Sequence, residues 1–391
     1  MPRTTDVVVI GAGLVGAVTA LRLAQAGRRV TILDRSAPNT QGSAATAGNL
    51  HIQTIHTRRP GQDVPVDVRR LVPFQKEASR LWDELAENVG PDLGLVRCGG
   101  FMVAETDAQV AALREKHGWE AAAGIASEVV DGETARRELP LLGRTVRAAT
   151  WCGLDGYAEP HLAAPAVLSA AVAAGAELHP YTRVTGIERV ADTWLVSSGF
   201  ESWSAPSVVN AAGPWMAEVA RLAGAEVNVR PAALQMHSTT AAPGTLPYLV
   251  QHVAEGISVK QDRRDRIVIG GGWPGGSFDP ERPAPVNAAS ITGNLAQVSR
   301  LLPALAEHPI GAAWTGPVIT TSDEMPIIGE LDCAPGMFVA GGTYSFTFAP
   351  VWADVLGALV CGEEPALDVT EFGPGRLTAA SRADRLQGEP L

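Results

Sequence analysis

Three glycines and one aspartate near the start of the chain have the types and the spacing that bind a dinucleotide. Gly11, Gly13 and Gly16 follow the pattern Gly-x-Gly-x-x-Gly, and Asp34 comes 18 positions after the last of them. The first glycine permits a tight turn, the second lets the backbone approach a pyrophosphate, and the third lets a helix pack on a strand. A carboxylate at this distance accepts hydrogen bonds from the ribose hydroxyls.

The elements that must position these residues are a strand, a helix and a second strand. Residues 7–10 form an apolar run typical of a parallel strand that is buried on both faces, residues 14–26 predict a helix, and residues 30–33 predict the second strand. The helix presents its N-terminal amides to the pyrophosphate. Asp34 repels a 2′-phosphate and so disfavours NADP, although the adjacent Arg35 weakens this argument. The alternative, a βαβ unit without a ligand, is disfavoured because all these features occur together.

Composition excludes several classes of partner. The 391 residues suffice for two domains, and a net charge of −11 without a basic run argues against nucleic acid. Four cysteines without a Cys-x-x-Cys pair argue against a zinc site, an iron–sulfur cluster or a disulfide framework, so we expect no metal and a cytoplasmic protein. The apolar stretch 7–21 is shorter than the roughly 20 residues that a bilayer requires, which predicts no membrane span.

Later segments decide between NAD and FAD. Residues 184–190 and 194–198 predict strands, and a third strand at 208–209 runs into the small residues 210–213. Small residues at a strand end let the backbone lie against a flat cofactor. Residues 336–342 predict another strand that ends in glycines, before a helix at 351–360. A nicotinamide enzyme has no obvious need for these elements around the first site, which favours FAD.

Five segments carry a resemblance to a known family. Besides the opening unit they are GSAATAGN (42–49), VVNAAGPW (208–215), WTGPVITTSDEMPIIG (314–329) and MFVAGGTYSFTFAP (337–350). Over residues 6–377 the chain resembles the D-amino-acid-oxidase-like family of FAD-dependent oxidoreductases, which includes glycine oxidase, sarcosine oxidases and opine oxidase subunits. The resemblance implies an α/β fold, in which a Rossmann-like FAD-binding domain with a parallel sheet is interleaved with a mixed-sheet α+β substrate domain.

The resemblance also implies a division of the chain. The FAD-binding domain would collect residues 1–50, 140–222 and 308–377, and the substrate domain 51–139 and 223–307, with a mobile tail at 378–391. Within the substrate domain, residues 257–276 predict a hairpin with its turn at 262–265. Gly270, Gly271 and Gly272 follow this hairpin, and Pro-rich sequence rather than a helix comes next, which favours a sheet-edge turn over a second phosphate loop.

The positions that match the family's FAD contacts are numerous. They are Gly11, Gly13, Leu14, Val15, Gly16, Asp34, Arg35, Ser43, Thr46, Gly48, Asn49, Val184, Ala211, Gly213, Trp215, Gly341, Gly342, Phe346 and Thr347. The chain departs from its relatives at residues 343–346, which are bulkier than the usual Gly-His-Gly-like segment. Where some relatives attach flavin through a cysteine, this chain has Gly316, so we expect FAD to be bound non-covalently.

Candidates for catalysis and substrate binding are fewer. His51 follows the flavin-contacting segment and is expected to act as a substrate contact or proton acceptor, with a hydrogen-bonded core histidine as the alternative. Tyr344 is a second catalytic candidate. Lys260 and Tyr248 are substrate-binding candidates, and Gln235 is a weaker one. For Lys260 the alternative is a solvated lysine on the outer face of its sheet, and for the others packing residues.

The expected function is FAD-dependent oxidation of a carbon–nitrogen bond in an amino acid or secondary amine by hydride transfer to the flavin. Two alternatives stay open: an FAD-carrying subunit of a hetero-oligomeric, opine-oxidase-like dehydrogenase, and oxidation of a 2-hydroxy acid. The expected partners are a small-molecule substrate and either partner subunits or a homo-oligomer. Relatives hold the substrate carboxylate with an arginine or a lysine, but this chain has Val318 and Thr347 at the matching positions. This difference favours a larger substrate.

Overall fold

The computed structural model describes residues 1–55 and 68–377, so the predicted mobile tail at 378–391 lies outside the described residues. The strands are β1 (Arg3–Thr4), β2 (Val7–Ile10), β3 (Val30–Leu33), β4 (Asn49–Leu50), β5 (Leu95–Val96), β6 (Gly100–Ala104), β7 (Ser127–Asp131), β8 (Ala148–Cys152), β9 (Gly156–Ala158), β10 (Glu177–His179), β11 (Gly186–Val190), β12 (Thr193–Ser198), β13 (Glu201–Ala205), β14 (Ser207–Asn210), β15 (Arg230–Ala241), β16 (Leu249–His252), β17 (Ser258–Gln261), β18 (Arg266–Gly270), β19 (Ile310–Thr320), β20 (Ile327–Leu331) and β21 (Ala334–Gly341).

The α-helices are α1 (Leu14–Gln25), α2 (Gly42–Ala45), α3 (Val72–Val89), α4 (Asp107–Ala122), α5 (Gly132–Glu138), α6 (Pro160–Ala173), α7 (Met216–Leu222), α8 (Ala288–Leu301) and α9 (Ala349–Cys361). Short 3₁₀ helices span Val68–Leu71, Pro91–Leu93, Gly213–Trp215, Pro303–Glu307, Thr370–Phe372 and Pro374–Leu377. Among the described residues, no helix combines the length and the apolar character that crossing a bilayer would demand.

A six-stranded sheet contains the predicted dinucleotide-binding unit. Its strand order is β10-β3-β2-β14-β21-β20, and every neighbouring pair is parallel except β20 with β21. Every residue of β2 and β3 is buried because helices α1, α6 and α9 pack on one face of the sheet, while β11–β13 with Trp194 and Trp203 cover the other. The predicted strands at 7–10 and 30–33 and the predicted helix after residue 13 are confirmed.

The order of this sheet creates a crevice at one edge. From β2 the chain continues to β3 on one side, whereas β14 joins β2 on the other side. Parallel sheets bind ligands outside the carboxyl ends of their strands, at the point where the strand order reverses. The residues that follow β2, β3, β14 and β21 therefore converge on one site.

An eight-stranded mixed sheet forms the second layer, in the order β19-β15-β18-β17-β16-β6-β8-β7. Its pairs are antiparallel except β16 with β6. The predicted hairpin is confirmed, because β17 and β18 pair around the turn at 262–265, where Asp262 accepts the backbone N–H groups of Arg264 and Arg266. The glycines at the end of β18 lead into irregular sequence, as predicted, and the next helix begins only at residue 288.

The predicted domain boundaries differ from the observed strand pairing at two places. Strands β8 and β19 pair inside the eight-stranded sheet, although they fall in the segments 140–222 and 308–377 that were predicted to belong to the FAD-binding domain. Strand β8 joins that sheet between β6 and β7, the two strands that precede it, and β19 joins it beside the distant strand β15. An apolar pattern predicts a strand but does not identify its partner, so this pairing was not visible in the sequence.

Candidate cofactor and substrate site

A long cavity of about 470 Å³ lies between the two large sheets. One end, which we call the Asp34 end, is lined by Asp34, Arg35, Arg183 and Val184. The other, the His51 end, is lined by His51, Gln251, Ser258, Val318 and Tyr344. Between them the wall consists of the backbone after β2 and β14. Residues of both large sheets therefore contribute to one cavity.

The turn after β2 is shaped by close backbone contacts. Gly11 has φ 107°, and a Cβ atom on it would lie 2.5 Å from the carbonyl oxygen of Ala211. A Cβ atom on Gly16 would lie 1.9 Å from the carbonyl oxygen of Gly11, so a larger residue would push α1 away from β2. Gly13 caps α1 without a side-chain hydrogen bond, and the Leu14 N–H donates to Ser43 Oγ at 2.9 Å. The helix N-terminus therefore faces the cavity with backbone donors, as an anion site requires.

Asp34 closes the same turn from the end of β3. Its Oδ2 accepts the Ala12 N–H at 2.8 Å, and its Oδ1 accepts the Ser36 N–H at 2.9 Å. The Ser36 hydroxyl also donates to Oδ1, at 3.2 Å, so three of the roughly four acceptor positions of an ionised carboxylate are used and about one is left for a hydroxyl donor from a ligand. Asp34 therefore both shapes the loop and presents a negative charge to the cavity.

An aromatic and cationic cluster covers the Asp34 end. The Arg35 guanidinium lies 3.9 Å above the ring of Trp215, and both side chains donate to the carbonyl oxygen of Pro280, at 2.6 and 3.2 Å. Arg183 reaches Glu281 at 2.8 Å. Burial lowers the pKa of Arg35, and nearby Arg183 lowers it further. The segment around Pro280, which follows the eight-stranded sheet, therefore packs over this end of the cavity.

At the His51 end, Thr347 ties two segments together. Its hydroxyl accepts the His51 backbone N–H and donates to the carbonyl oxygen of Asn49, each at 3.2 Å. Its carbonyl oxygen accepts Trp82 Nε1 at 2.8 Å, and Trp82 stacks on Phe346 with ring centroids 5.7 Å apart. The segment after β4 and the segment before α9 are thus held as one wall of the cavity.

His51 and Tyr344 form an edge-to-face pair on this wall, with ring centroids 6.4 Å apart. Burial lowers the pKa of His51 to about 4, and a hydrogen bond with Gln251 opposes that shift without cancelling it. The imidazole is therefore neutral at neutral pH and can accept a proton. Tyr344 has φ 61°, a conformation that costs a residue with a side chain about 1–3 kcal/mol and that clusters at functional sites.

A buried polar network supports the residues that follow His51. Asp155 accepts the backbone N–H groups of Ile52 and Gln53, at 2.9 and 2.8 Å, and Gln53 Oε1 accepts Lys116 Nζ at 3.1 Å. Lys116 in turn pairs with Glu120 at 2.6 Å, and both side chains are fully buried. Burial raises the pKa of Asp155 to about 6. The sequence did not identify this network, because a Lys and a Glu four residues apart on a helix are typical of a solvated face.

Two predicted substrate-binding residues do not line the cavity. Lys260 is 1 % exposed, and its Nζ lies 3.6 Å from the centroid of the Tyr157 ring. The alternative prediction of a solvated Lys260 is therefore wrong, and burial lowers the pKa of its ammonium group to about 8. Tyr248 packs edge-on against Trp151, with centroids 4.9 Å apart. Gln235 does line the cavity.

Most of the predicted cofactor-binding residues line the cavity. Gly16 and Gly48 do not line the cavity, because each lies behind its wall in close contact with another backbone segment. A Cβ atom on Gly48 would lie 2.2 Å from the carbonyl oxygen of Ala158. The sequence reasoning missed further lining residues, namely Arg183, Gln251, Ser258, Gly270, Gly271 and Gly272.

One group of side chains has the spacing of a metal site. Ligand atoms of Glu105, His252 and Glu255 all lie within 4.8 Å of one another. Arg300 contacts both carboxylates, at 2.7 and 2.8 Å, and supplies the positive charge there. His252 Nδ1 accepts the backbone N–H groups of Ala254 and Glu255, so its proton is on Nε2, facing Glu105. This arrangement is an ion-pair cluster with a histidine whose tautomer is fixed.

Buried polar atoms without a hydrogen-bond partner indicate what the cavity accepts. Among the described residues that line it, these atoms include Arg35 Nη1 and Asn39 Oδ1 near the Asp34 end, and Asn49 Oδ1 and His51 Nδ1 at the His51 end. Buried polar groups in native proteins are normally paired, so a ligand with polar groups at both ends fits the site. FAD has this form, with an adenosine, a pyrophosphate and a flavin. The fold and the site together define a flavin-dependent oxidoreductase.

Comparison with known proteins agrees with this class. Residues 6–359 match the family described as DAO, FAD dependent oxidoreductase, and the chain belongs to that family. It is similar to glycine oxidase from Geobacillus kaustophilus, with 27 % identity over 95 % of this chain and 97 % of that protein. It is also similar to an opine oxidase subunit from Rhizobium meliloti, with 25 % identity over 96 % of this chain and 98 % of that protein. The crystal structure of the Geobacillus glycine oxidase has a TM-score of 0.83, with 27 % identity over 96 % of this chain and 99 % of that chain. The predicted fold class and family are confirmed.

Proposed function

We propose that this FAD-dependent oxidoreductase oxidises the carbon–nitrogen bond of an amino acid or secondary amine at the His51 end of the cavity. The observation that carries the proposal is a neutral, partly buried histidine beside Tyr344, on the wall where the segment after β4 meets the segment before α9. The similarity to glycine oxidase supports this substrate class. Bound FAD supplies the hydride acceptor.

His51 has a defined task in this reaction. An ammonium group has no lone pair to assist departure of hydride from the adjacent carbon, so the amine must be neutral when the carbon–hydrogen bond breaks. The His51 imidazole would accept the proton from nitrogen, hydride would leave the carbon for the acceptor that bound FAD supplies, and the substrate would become an iminium ion that water hydrolyses. Met236, Ile257 and Val318 supply apolar wall near this position, which limits the access of water.

The substrate is larger than glycine in this proposal. Val318 lines the cavity at the position where glycine-oxidase-like relatives have an arginine, and valine offers neither charge nor hydrogen-bond donor. Among the described residues that line the cavity, the arginines are Arg35 and Arg183, and both lie at the Asp34 end. A carboxylate next to the reacting carbon therefore lacks the bidentate partner that it has in those relatives.

We expect bulky secondary amines and opine-like compounds to reduce the flavin faster than glycine, sarcosine or D-alanine. The measurement is bleaching of flavin absorbance without oxygen, with a panel that also contains 2-hydroxy acids. Rapid bleaching by sub-millimolar glycine or D-alanine would contradict the larger substrate. Bleaching by 2-hydroxy acids alone would contradict amine oxidation.

FAD is bound non-covalently in this proposal. None of the four cysteines, all of which lie in the described part of the chain, lines the cavity. At Gly316 a Cβ atom would lie 2.9 Å from Cβ of Ala45, so the position that carries a cysteine in some relatives has little room for a side chain. We expect acid precipitation to leave the flavin colour in the supernatant. A flavin mass on the denatured chain would refute this expectation.

A second candidate function is the FAD-carrying subunit of a hetero-oligomer that passes electrons to a partner instead of oxygen. The similarity to the opine oxidase subunit, which extends over nearly the whole of both chains, favours it. Purification from the native host, followed by size-exclusion chromatography, separates the two candidates. A co-purifying chain that is required for electron transfer after flavin reduction would select the second.

A further inference from the structure

One buried carboxylate holds the backbone immediately after His51. Asp155 is fully buried, and its Oδ1 accepts the N–H groups of both Ile52 and Gln53, at 2.9 and 2.8 Å. These two peptide groups fix the direction in which the chain leaves His51. On the other side, the His51 N–H donates to Thr347 Oγ1 at 3.2 Å. The backbone of the histidine is therefore fixed from both directions.

The other oxygen of Asp155 orients two side-chain amides. Its Oδ2 accepts Gln53 Nε2 at 2.9 Å and lies 3.5 Å from Gln251 Nε2. Gln53 cannot reverse its amide, because its Oε1 accepts Lys116 Nζ at 3.1 Å and the Thr150 hydroxyl at 2.6 Å. Gln251 has no such second constraint, so the carboxylate determines which end of this amide faces Asp155.

The orientation of Gln251 matters because Gln251 lines the same end of the cavity as His51 and lies close enough to the imidazole for its amide to raise the pKa of that ring. With Nε2 turned toward Asp155, the end of the amide that remains for the imidazole is the acceptor Oε1. An acceptor at this place requires a ring N–H opposite it. The proton that a neutral histidine carries on one nitrogen is set in this way by the partner of that nitrogen.

We propose that Asp155 is a positioning residue for His51, which acts through the backbone of Ile52 and Gln53 and through the amide of Gln251 to fix both the place and the tautomer of the imidazole. This inference rests on the proposed role of His51 as proton acceptor. A carboxylate suits the task because Asp155 meets four donors and has no proton to donate when ionised. An asparagine has one acceptor oxygen, and its amino group would face donors.

The test uses the FAD-bound protein labelled with ¹⁵N-histidine, in which the signals of His51 among the 8 histidines are assigned by their loss in His51→Asn. In Asp155→Asn, Gln251 is free to turn its amide, and we expect the ¹⁵N shifts of His51 to move toward the other neutral tautomer. We expect anaerobic flavin reduction to slow on the order of 10- to 100-fold, which is the usual effect of removing a hydrogen-bond partner that orients a functional side chain. The variant should retain its FAD.

Glu120→Gln is the matched control. Glu120 belongs to the same buried network, through Lys116, but contacts neither Gln251 nor His51. It should lower thermal stability and leave the ¹⁵N shifts of His51 in place. Unchanged shifts in Asp155→Asn, or equal changes in Glu120→Gln, overturn the inference.

Gln251→Met decides the question if Asp155→Asn does not fold, because it removes the amide and leaves the backbone contacts of Asp155. Shifted His51 signals support the inference, and unchanged signals overturn it. The spectra are independent of turnover, so failure of the proposed function would show separately, as an undiminished rate of flavin reduction in His51→Asn.

Discussion

Replacing Asp34 with alanine is expected to yield protein that is largely colourless after purification. The carboxylate lies at the Asp34 end of the cavity, where it can accept a hydrogen bond from a ribose hydroxyl in addition to those from Ala12 and Ser36. A charge-assisted bond contributes about 1.5–3 kcal/mol, so the loss of one should by itself weaken FAD binding by roughly one to two orders of magnitude. The measurement is FAD affinity of the apoprotein by fluorescence titration.

The expected loss has two sources, and a second variant controls for the removal of a carboxylate beside β2 that does not face the cavity. Asp34 also holds the turn after β2, so part of the effect comes from the loop rather than from the ribose. Asp6 is a matched residue at the other end of β2, where its carboxylate accepts the Arg29 N–H at 2.8 Å, and it does not line the cavity. Asp6→Ala should retain FAD affinity. Equal affinity in Asp34→Ala and wild type would show that the assignment of Asp34 to the ribose is incorrect.

The parts of the fold that could be predicted from the sequence depend on local signals. The strand, turn and helix at the start were predictable because three glycines, an apolar run and a terminal aspartate act within 30 residues of one another. The hairpin of β17 and β18 was predictable for the same reason. Its turn contains Asp262, which caps the backbone locally, and Asp265, which adopts φ 59°. Such features act over a few residues and leave a direct pattern.

Other features depend on partners that are far away in the sequence. Lys116 and Glu120 on α4 form a buried ion pair, and they hydrogen-bond to Gln53 and Thr54. These partners lie more than 60 residues earlier in the sequence. Lys260 is buried because the face of β17 that carries its side chain packs against Tyr157. A charged residue in a strand or helix usually lies in solvent, so sequence alone favoured the wrong environment for Lys260.

The candidate site shows the same division. The predicted cofactor-binding residues that line the cavity with their backbone follow a glycine pattern and could be placed by resemblance. At the His51 end, Gln251 and Ser258 come from β16 and β17 of the eight-stranded sheet, and single residues of this kind carry no pattern. Whether they face the cavity depends on strand register, because a shift of one residue would turn each to the opposite face.

Replacing His51 with asparagine is expected to slow anaerobic flavin reduction at saturating substrate by roughly 10²- to 10⁴-fold, the usual contribution of a positioned proton acceptor. Asparagine retains a polar side chain of similar reach but cannot accept a proton near neutral pH. FAD content should be unchanged, because His51 lies at the end of the cavity remote from Asp34. Rapid-scan spectroscopy of the flavin after anaerobic mixing measures the rate constant directly.

His237→Asn is the control for a general effect of removing a buried histidine. His237 is 1 % exposed on β15, burial lowers its pKa as it does for His51, and it does not line the cavity. We expect this variant to reduce its flavin at the wild-type rate. A loss of equal size in both variants would assign the effect to the sheet rather than to proton transfer.

The pH dependence of stability provides a second measurement on His51→Asn. The pKa of His51 is about 4 in the folded protein and about 6.5 in the unfolded chain. Between these values the unfolded chain binds more protons, so His51 should make the protein less stable as the pH falls from 6.5 toward 4, with no such contribution above 6.5. Asparagine does not titrate, so chemical denaturation of His51→Asn should show a shallower loss of stability across this window than wild type. An identical slope in both proteins would mean that the pKa of His51 is the same in the folded protein and in the unfolded chain, which would contradict the burial of a neutral imidazole at this end of the cavity.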